Sequence, residues 1–332
     1  MNALIKSALK NRGITLLIPL LALAFFAATQ AESFDLSIWI NITISGIAMG
    51  ILIFHLAVGM TVIFGLMDVM NFAHGIFFTL GAFTSWSLYQ NLLLDWVESD
   101  SLGLNVAALT IGILAAVLVS MICGWIMEKL IIRKVYGNHQ SQILITIGVA
   151  IFLEELSRIF WSPENEAFTL PTWFLDSWEF GDVLVSRFQV FIIILGILLL
   201  FVLELIYRKT KIGLIVRAGI ENPQMVKALG YNLDRVFSLV FVASAALAGL
   251  GGFLWAGYRE VVNAGMGSEI LIFALTVVII GGLGSILGSF FGAILLGLAF
   301  NYTAFLFPSL TIGVNFFIML VILLARPTGL FK

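Results

Sequence analysis

Apolar residues fill this chain in runs that extend almost end to end, with no polar block between them large enough to build a core of its own. A helix needs about 20 apolar residues to cross the hydrocarbon of a bilayer. That ruler predicts crossings at 14–28, 38–66, 75–94, 104–127, 143–161, 188–207, 236–258 and 311–325. One apolar stretch, 270–305, remains, and as a single helix it would measure roughly 54 Å at about 1.5 Å per residue, too long for a layer of about 30 Å. Gly281-Gly282-Leu283-Gly284-Ser285 sits near its middle, so two shorter crossing helices are expected to meet there. The predicted architecture is all-α: a polytopic integral membrane protein of about ten transmembrane helices with glycine-broken helices, and a single domain over 1–332.

Composition agrees with this pattern. With 61% hydrophobic residues, 11% charged ones and a mean hydropathy of +1.10 over 332 residues, the chain requires lipid as its solvent. A net charge of -2 offers no basic surface for nucleic acid. The single cysteine, Cys123, lies in an apolar run and has no partner for an intrachain disulfide.

Charge placement tests the crossings independently, because short cytoplasmic loops carry an excess of Lys and Arg. With the N-terminus inside, Lys6, Lys10, Arg12, Lys129, Arg133, Lys134, Arg208, Lys209, Lys211, Arg217, Lys227, Arg235, Arg326 and Lys332 all fall on the cytoplasmic side. Only Arg158, Arg187 and Arg259 fall elsewhere, and the opposite loops are acidic. Both termini are therefore expected in the cytoplasm. Residues 1–31 also have the three parts of a secretory signal peptide, so they read either as a retained first span or as a signal-like segment. The polar stretch 162–186, with Trp173 and Trp178, reads either as a structured cap at the interface or as a linker.

Three segments carry candidate function. In the cytoplasmic segment 208–235, Asn222 is placed to cap a helix that begins at Pro223 and ends at Gly230. Its apolar residues Met225, Val226, Ala228 and Leu229 need a surface to dock on, either a partner or the protein's own membrane domain. In the second segment, Asp68, Asn71 and His74 fall between two spans, where polar groups are costly unless they line water or pair, and their spacing predicts one face of a helical turn. His74 reads equally as a structural hydrogen-bonding residue. In the third, Gly281, Gly282, Gly284 and Ser285 read as tight helix packing or as backbone presented to a permeating solute. His55, midway along its span, either faces a pathway or donates across a helix interface. Glu154 and Glu155 precede Arg158 at the spacing of a self-neutralising helical pair, and Glu204 can reach Arg208. Neither a second His near His74 nor a cysteine pair supports a metal.

Absent motifs exclude some mechanisms. No G-x-x-x-x-G-K-[ST] run occurs, so the chain has no phosphate cradle for ATP, and neither H-E-x-x-H nor G-x-S-x-G supports hydrolytic chemistry. No enzymatic activity is expected of it.

The run from Ile63-Phe64-Gly65 through Asn71-Phe72-Ala73-His74-Gly75, the segment from Arg217-Ala218 to Gly230, the Gly281-Gly282-Leu283-Gly284-Ser285 hinge and Arg326-Pro327-Thr328-Gly329-Leu330-Phe331 resemble the permease subunits of branched-chain amino acid ABC importers. The resemblance implies a bacterial-type plasma membrane location, a dimer with an identical or paralogous second permease, two cytoplasmic ATPase subunits that bind the ATP, and an external solute-binding protein. It implies that Arg217, Ala218, Glu221, Asn222, Pro223 and Gly230 couple to the ATPase. It aligns Asn71, Phe72, His74 and Gly75 and the hinge glycines with the family's membrane motifs, which are assigned here, with His55 and Ser285, to the substrate pathway. The chain departs from the family pattern at Ile76 and His55. Importers of urea and short-chain amides use similar permeases, and the binding protein selects the solute.

Overall fold

The computed structural model describes residues 36–326 and 329–331, so the expected crossing at 14–28 lies outside it. The chain is built from α1 (Leu36–Met67), α2 (His74–Leu88), α3 (Leu102–Leu130), α4 (His139–Phe160), α5 (Arg187–Lys209), α6 (Lys211–Glu221), α7 (Pro223–Ala228), α8 (Leu233–Arg259), α9 (Met266–Gly281), α10 (Ile286–Leu306) and α11 (Thr311–Ala325). Five of these, taken as Leu36–Gly65, Leu102–Val135, Arg187–Lys209, Leu233–Arg259 and Ile286–Leu306, are long and apolar enough to cross a membrane. The expected count of ten is therefore not reached by this ruler among the described residues. The reasons are local. α2 starts late, α4 carries Glu154, Glu155 and Arg158, and α9 and α11 are short.

α1 is the axis of the bundle, buried without interruption from Ala48 to Thr61. α10 runs antiparallel along it: Gly50 faces Ala293, Phe54 meets Phe290 edge-on at 5.2 Å, and Thr61 shares a 2.5 Å hydrogen bond with Ser289. α8 packs on α2 so closely that a Cβ on Gly252 would run into the Phe78 carbonyl. The third layer is α3, whose buried face is a narrow stripe of small and polar residues, Ala108, Gly112, Ala116, Ser120 and Gly124, roughly one turn apart. Ser120 donates to the Phe77 carbonyl at 2.9 Å and Ser85 to Gly112 at 3.1 Å. Its other face shows Leu114, Leu118, Ile122 and Trp125, as lipid contact requires.

The apolar stretch 270–305 divides where the glycines predict. α9 ends at Gly281, Gly282 and Gly284 take φ of 92° and 82°, and Ser285 caps α10 by accepting from Gly288 N–H at 3.0 Å. The result is a hairpin of two antiparallel helices with Gly281 set against Gly288.

At the far end of α5, the stretch 162–186 is a structured cap. β1 (Glu166–Ala167) pairs with β4 (Val261–Val262), and β2 (Ser177–Phe180) pairs with β3 (Val183–Ser186). Asn105 fastens the cap to α3, its side-chain carbonyl accepting from Trp173 N–H at 2.7 Å. Two of the three basic residues outside the main pattern are neutralised in place. Arg187 pairs with Asp176 at 3.0 Å and lies over Trp173, and Arg158 pairs with Glu154 at 2.8 Å and with Glu155 at 3.5 Å.

Replacing Gly252 with Val should cost about 1–3 kcal/mol through overpacking against the Phe78 backbone, lowering the thermal unfolding midpoint of the purified protein. Gly148→Ala, where a Cβ meets nothing within 4 Å, should leave the midpoint unchanged or raise it.

Candidate functional site

α1 ends at Met67, and the chain does not continue as the helical turn that the spacing of Asp68, Asn71 and His74 predicts. Asp68 takes a left-handed conformation, φ 51°, and its exposed carboxylate lies 3.3 Å from His139 Nε2. The following residues turn back into the bundle as irregular backbone. α2 therefore begins deep inside: its first residue, His74, lies beside Gly59 and Ser244, and Gly59 is roughly 12 Å back along α1 at about 1.5 Å per residue. Asp68, Asn71 and His74 do not share a face.

Irregular backbone at membrane depth survives only when protein groups satisfy it. α4 supplies them. Gln142 Oε1 accepts from Met70 N–H at 3.2 Å, and Thr146 Oγ1 accepts from Phe72 N–H at 3.1 Å. Asn71 Oδ1 accepts from Ala73 N–H at 3.0 Å, closing the turn that starts α2. Gln142 and Thr146 are fully buried. No motif in the sequence singles them out; two polar residues four apart on an apolar helix were the available signal.

At this end of the bundle the four sequence motifs converge. A Cβ on Gly65 would stand 2.5 Å from Gly284 Cα, and one on Gly329 would stand 2.6 Å from Gly282 Cα. Leu330 N–H donates to the Ile280 carbonyl at 2.8 Å, and Phe331 stacks on Phe291 at 5.5 Å. The chain's last described residues thus brace the α9–α10 hairpin.

Between these parts opens a vestibule of about 880 Å³. Phe64, Met67 and Asp68 from the α1 end, Glu204, Tyr207 and Arg208 from α5, Gly219 and Lys227 from the following segment, Gly284 and Ser285 from the hinge, and Phe331 line it. Its rim carries charges of both signs, and Arg208 pairs with Glu204 as expected. Next to it lies a small cavity lined by Met60, Ile63, Phe64, Val69, Asn71 and His74.

The segment after α5 holds one more helix than the pattern predicts. Thr210 accepts from Gly213 N–H at 3.1 Å and starts α6, ahead of the helix expected from Pro223. The Arg217 guanidinium donates to the Tyr207 carbonyl and lies 5.2 Å over the Tyr207 ring, which folds α6 back on α5. Asn222 caps α7 as expected, accepting from Met225 N–H at 2.9 Å, and Pro223 is the first residue of that helix. Gly230, φ 86°, follows its end. Val216 and Val226 are buried, while Glu221, Met225, Leu229 and Tyr231 face outward.

The remaining candidates are placed as follows. His55 is fully buried between α2 and α8, donates through Nδ1 to the Ile51 carbonyl at 2.7 Å, and lines neither cavity. Gly75 is packed against Gly267 at the start of α9, and Gly281 and Gly282 are packing positions of the hairpin. The Ala218 carbonyl accepts from Asn222 N–H at 2.9 Å and joins α6 to α7. Among the described residues no group of three His, Cys, Asp or Glu could hold a metal ion.

Thr146→Val keeps the side-chain shape and removes the acceptor of Phe72 N–H. It should destabilise the protein by about 1–3 kcal/mol, the cost of a buried unsatisfied donor, and chemical denaturation of the purified variant measures it.

Three curated relatives agree along most of their length. The chain is 30% identical over 293 residues to the high-affinity branched-chain amino acid transport system permease protein LivH of Salmonella typhimurium, covering 86% of this chain and 93% of the relative. It is 30% identical over 294 residues to BraD of Pseudomonas aeruginosa, a permease protein of the same description, covering 86% and 94%. It is 27% identical over 294 residues to a probable branched-chain amino acid transport permease of Methanocaldococcus jannaschii, covering 83% and 87%. No solved structure matches. The family model described as branched-chain amino acid transport system / permease component matches residues 42–324, so this multi-pass chain belongs to that permease family.

Proposed function

We propose that this chain is the membrane-spanning subunit of an ABC importer for branched-chain or other neutral amino acids, driven by ATPase subunits that are separate polypeptides. The observation that carries the reading is the convergence of four motif-bearing segments on one vestibule, with the α6–α7 segment as one of its walls. The names of the LivH and BraD relatives supply the solute class. The basic end, with Arg208, Lys209, Lys211 and Lys227, is read as cytoplasmic. The partners under this reading are a second permease, two cytoplasmic ATPases and an external solute-binding protein.

In this mechanism the chain makes and breaks no bonds. Its task is to hold two packed states, each favoured by a different state of the motor. Moving such an equilibrium from 1:99 to 99:1 takes about 5.5 kcal/mol of differential binding. The exposed Met225, Leu229 and Tyr231 are the docking face, and Asn222, Pro223 and Gly230 set the shape of the helix that bears them. Arg217, Ala218 and Glu221 carry the displacement to α5. Gly219 and Lys227 then reshape the vestibule beside Gly284 and Ser285, which makes Asn71 and His74 the deepest pathway residues. His55, Phe72, Gly75, Gly281 and Gly282 serve as the frame for that pathway.

An importer of urea or short-chain amides remains the second reading, since the solute is chosen outside this chain. That solute choice varies among permeases of related sequence is illustrated by a fructose import permease of Rhizobium meliloti, 25% identical over 194 residues, covering 54% of this chain and 51% of the relative. An ion-coupled mechanism would need free buried carboxylates, yet Glu154 is engaged by Arg158 and by Ser268 at 2.6 Å.

Uptake by the reconstituted complex is expected for leucine and to depend on ATP; uptake by the isolated chain in liposomes without an ATPase would overturn the reading. Gly230→Val forces a side chain into φ 86°. ATP hydrolysis should persist while leucine uptake falls at least tenfold, measured together on the same proteoliposomes, with insertion unchanged.

A further inference from the structure

The turn between α3 and α4 is bonded to three parts of the bundle at once. Residues Ile132–Val135 form a short 3-10 turn directly after α3. Arg133, within it, bonds in two directions: Nε donates to Glu128 Oε1 on α3 at 2.7 Å, and Nη2 donates to Ser238 Oγ on α8 at 2.5 Å. Two residues on, the Val135 carbonyl accepts from Gln142 Nε2 of α4 at 3.2 Å. The oxygen of that same amide accepts from Met70 N–H in the irregular stretch before α2. A series of hydrogen bonds, interrupted only by this turn, thus runs from the start of α8 to the backbone beside the vestibule.

The α6–α7 segment is fixed to the other end of the series. α7 ends at Ala228 and α8 begins at Leu233. The link between them is closed by Tyr231 N–H, which donates to the Val226 carbonyl at 3.3 Å, and by Asn232, whose side chain accepts from Arg235 N–H at 3.1 Å. Lys227 also lies 3.7 Å from Asp234, one turn before Ser238. Phe237, the neighbour of Ser238, lines the vestibule and meets the Tyr136 ring at 5.8 Å.

The chemistry of the link favours a positioning role over a purely stabilising one. Glu128 is 1% exposed and Arg133 43% exposed. Apolar residues of similar volume in place of such a buried carboxylate and its partner are often as stable or more so, so fastening the turn to α3 needs no charge. A guanidinium supplies a rigid fork of donors, which here holds Glu128 and Ser238 together; a single ammonium does not match that geometry. Hydrogen-bonded networks between rigid elements are a physical route by which distant sites can be coupled.

We propose that Arg133 is a positioning residue of the transport cycle: it locks the Ile132–Val135 turn to α8, so that a displacement of the α6–α7 segment reaches the backbone at Met70 through Gln142. This rests on the reading of the chain as an ATP-driven permease and adds a second route to the one that leads through Arg217 to α5.

The test measures leucine uptake and ATP hydrolysis on the same proteoliposomes, with the complete reconstituted transporter. Arg133→Lys keeps a charge beside Glu128 but loses the fork, and Ser238→Ala removes the acceptor on α8. Each should lower the leucine transported per ATP hydrolysed at least fivefold, with the thermal unfolding midpoint unchanged. Ser238→Thr, which keeps the hydroxyl, should match the native ratio. Because both lesions cut one link, the double variant should be no worse than either single variant. A native ratio in either single variant, a loss in Ser238→Thr, or losses that add in the double variant would overturn the proposal. So would a fall of uptake, hydrolysis and midpoint together, which would make Arg133 a structural fastener alone. Failure of the parent reading shows separately, as absent ATP-dependent leucine uptake by the complex with the native sequence.

Discussion

The structure depends on backbone meeting backbone. In lipid the tails are as apolar as a leucine side chain, so helices gain little by hiding apolar surface from one another and are held by close packing and by hydrogen bonds across the gap. Here that approach occurs where a glycine or a small residue faces the neighbouring chain: Gly50 on Ala293, Gly65 on Gly284, Gly75 on Gly267, Gly281 on Gly288. Ser85, Ser120 and Tyr89 then reach carbonyls of the facing helix at 3.1, 2.9 and 3.2 Å. On α3 and α5 many large apolar side chains face outward instead.

One consequence is that a stretch of chain can leave helical geometry inside the bundle. Between α1 and α2 the backbone turns inward, and the cost of burying its amides is offset by Gln142 and Thr146 of α4. Because α2 starts there, its positive end, Asn71 and His74 lie in the interior rather than at the surface. The same non-helical turn leaves Asp68 exposed at the mouth of the vestibule, beside His139. A continuous helix over these residues would have placed all three polar groups along one stripe and left no cavity.

The second consequence concerns how force reaches this interior. The α6–α7 segment is tied to α5 by Arg217 and Tyr207 and contributes Gly219 and Lys227 to the vestibule. On the opposite wall, Gly284 rests on Gly65, only one residue beyond Phe64. A displacement of the segment and a displacement of the hairpin therefore act on the same small volume. The C-terminal residues brace the hairpin through Leu330 and Phe331, which limits the directions in which it can move.

The sequence by itself determined that the chain lives in lipid, where most of its helices run, that 270–305 must divide at its glycines, and that Asn222 and Gly230 bound a short helix. Each follows from local rules: the length of an apolar run, a capping side chain, a backbone conformation that only glycine adopts cheaply. The pairing of Glu154 with Arg158 was legible for the same reason, since helical neighbours four apart are fixed by geometry. Tertiary structure decided the rest. It placed His55 and Gly75 in packing rather than along a cavity, brought Gly329 onto Gly282, assigned Gln142 and Thr146 to an irregular backbone about 70 residues earlier in sequence, and set Phe64 between two cavities. Those relations join residues far apart in the chain, and whether a polar side chain is satisfied depends on atoms that only folding brings near it.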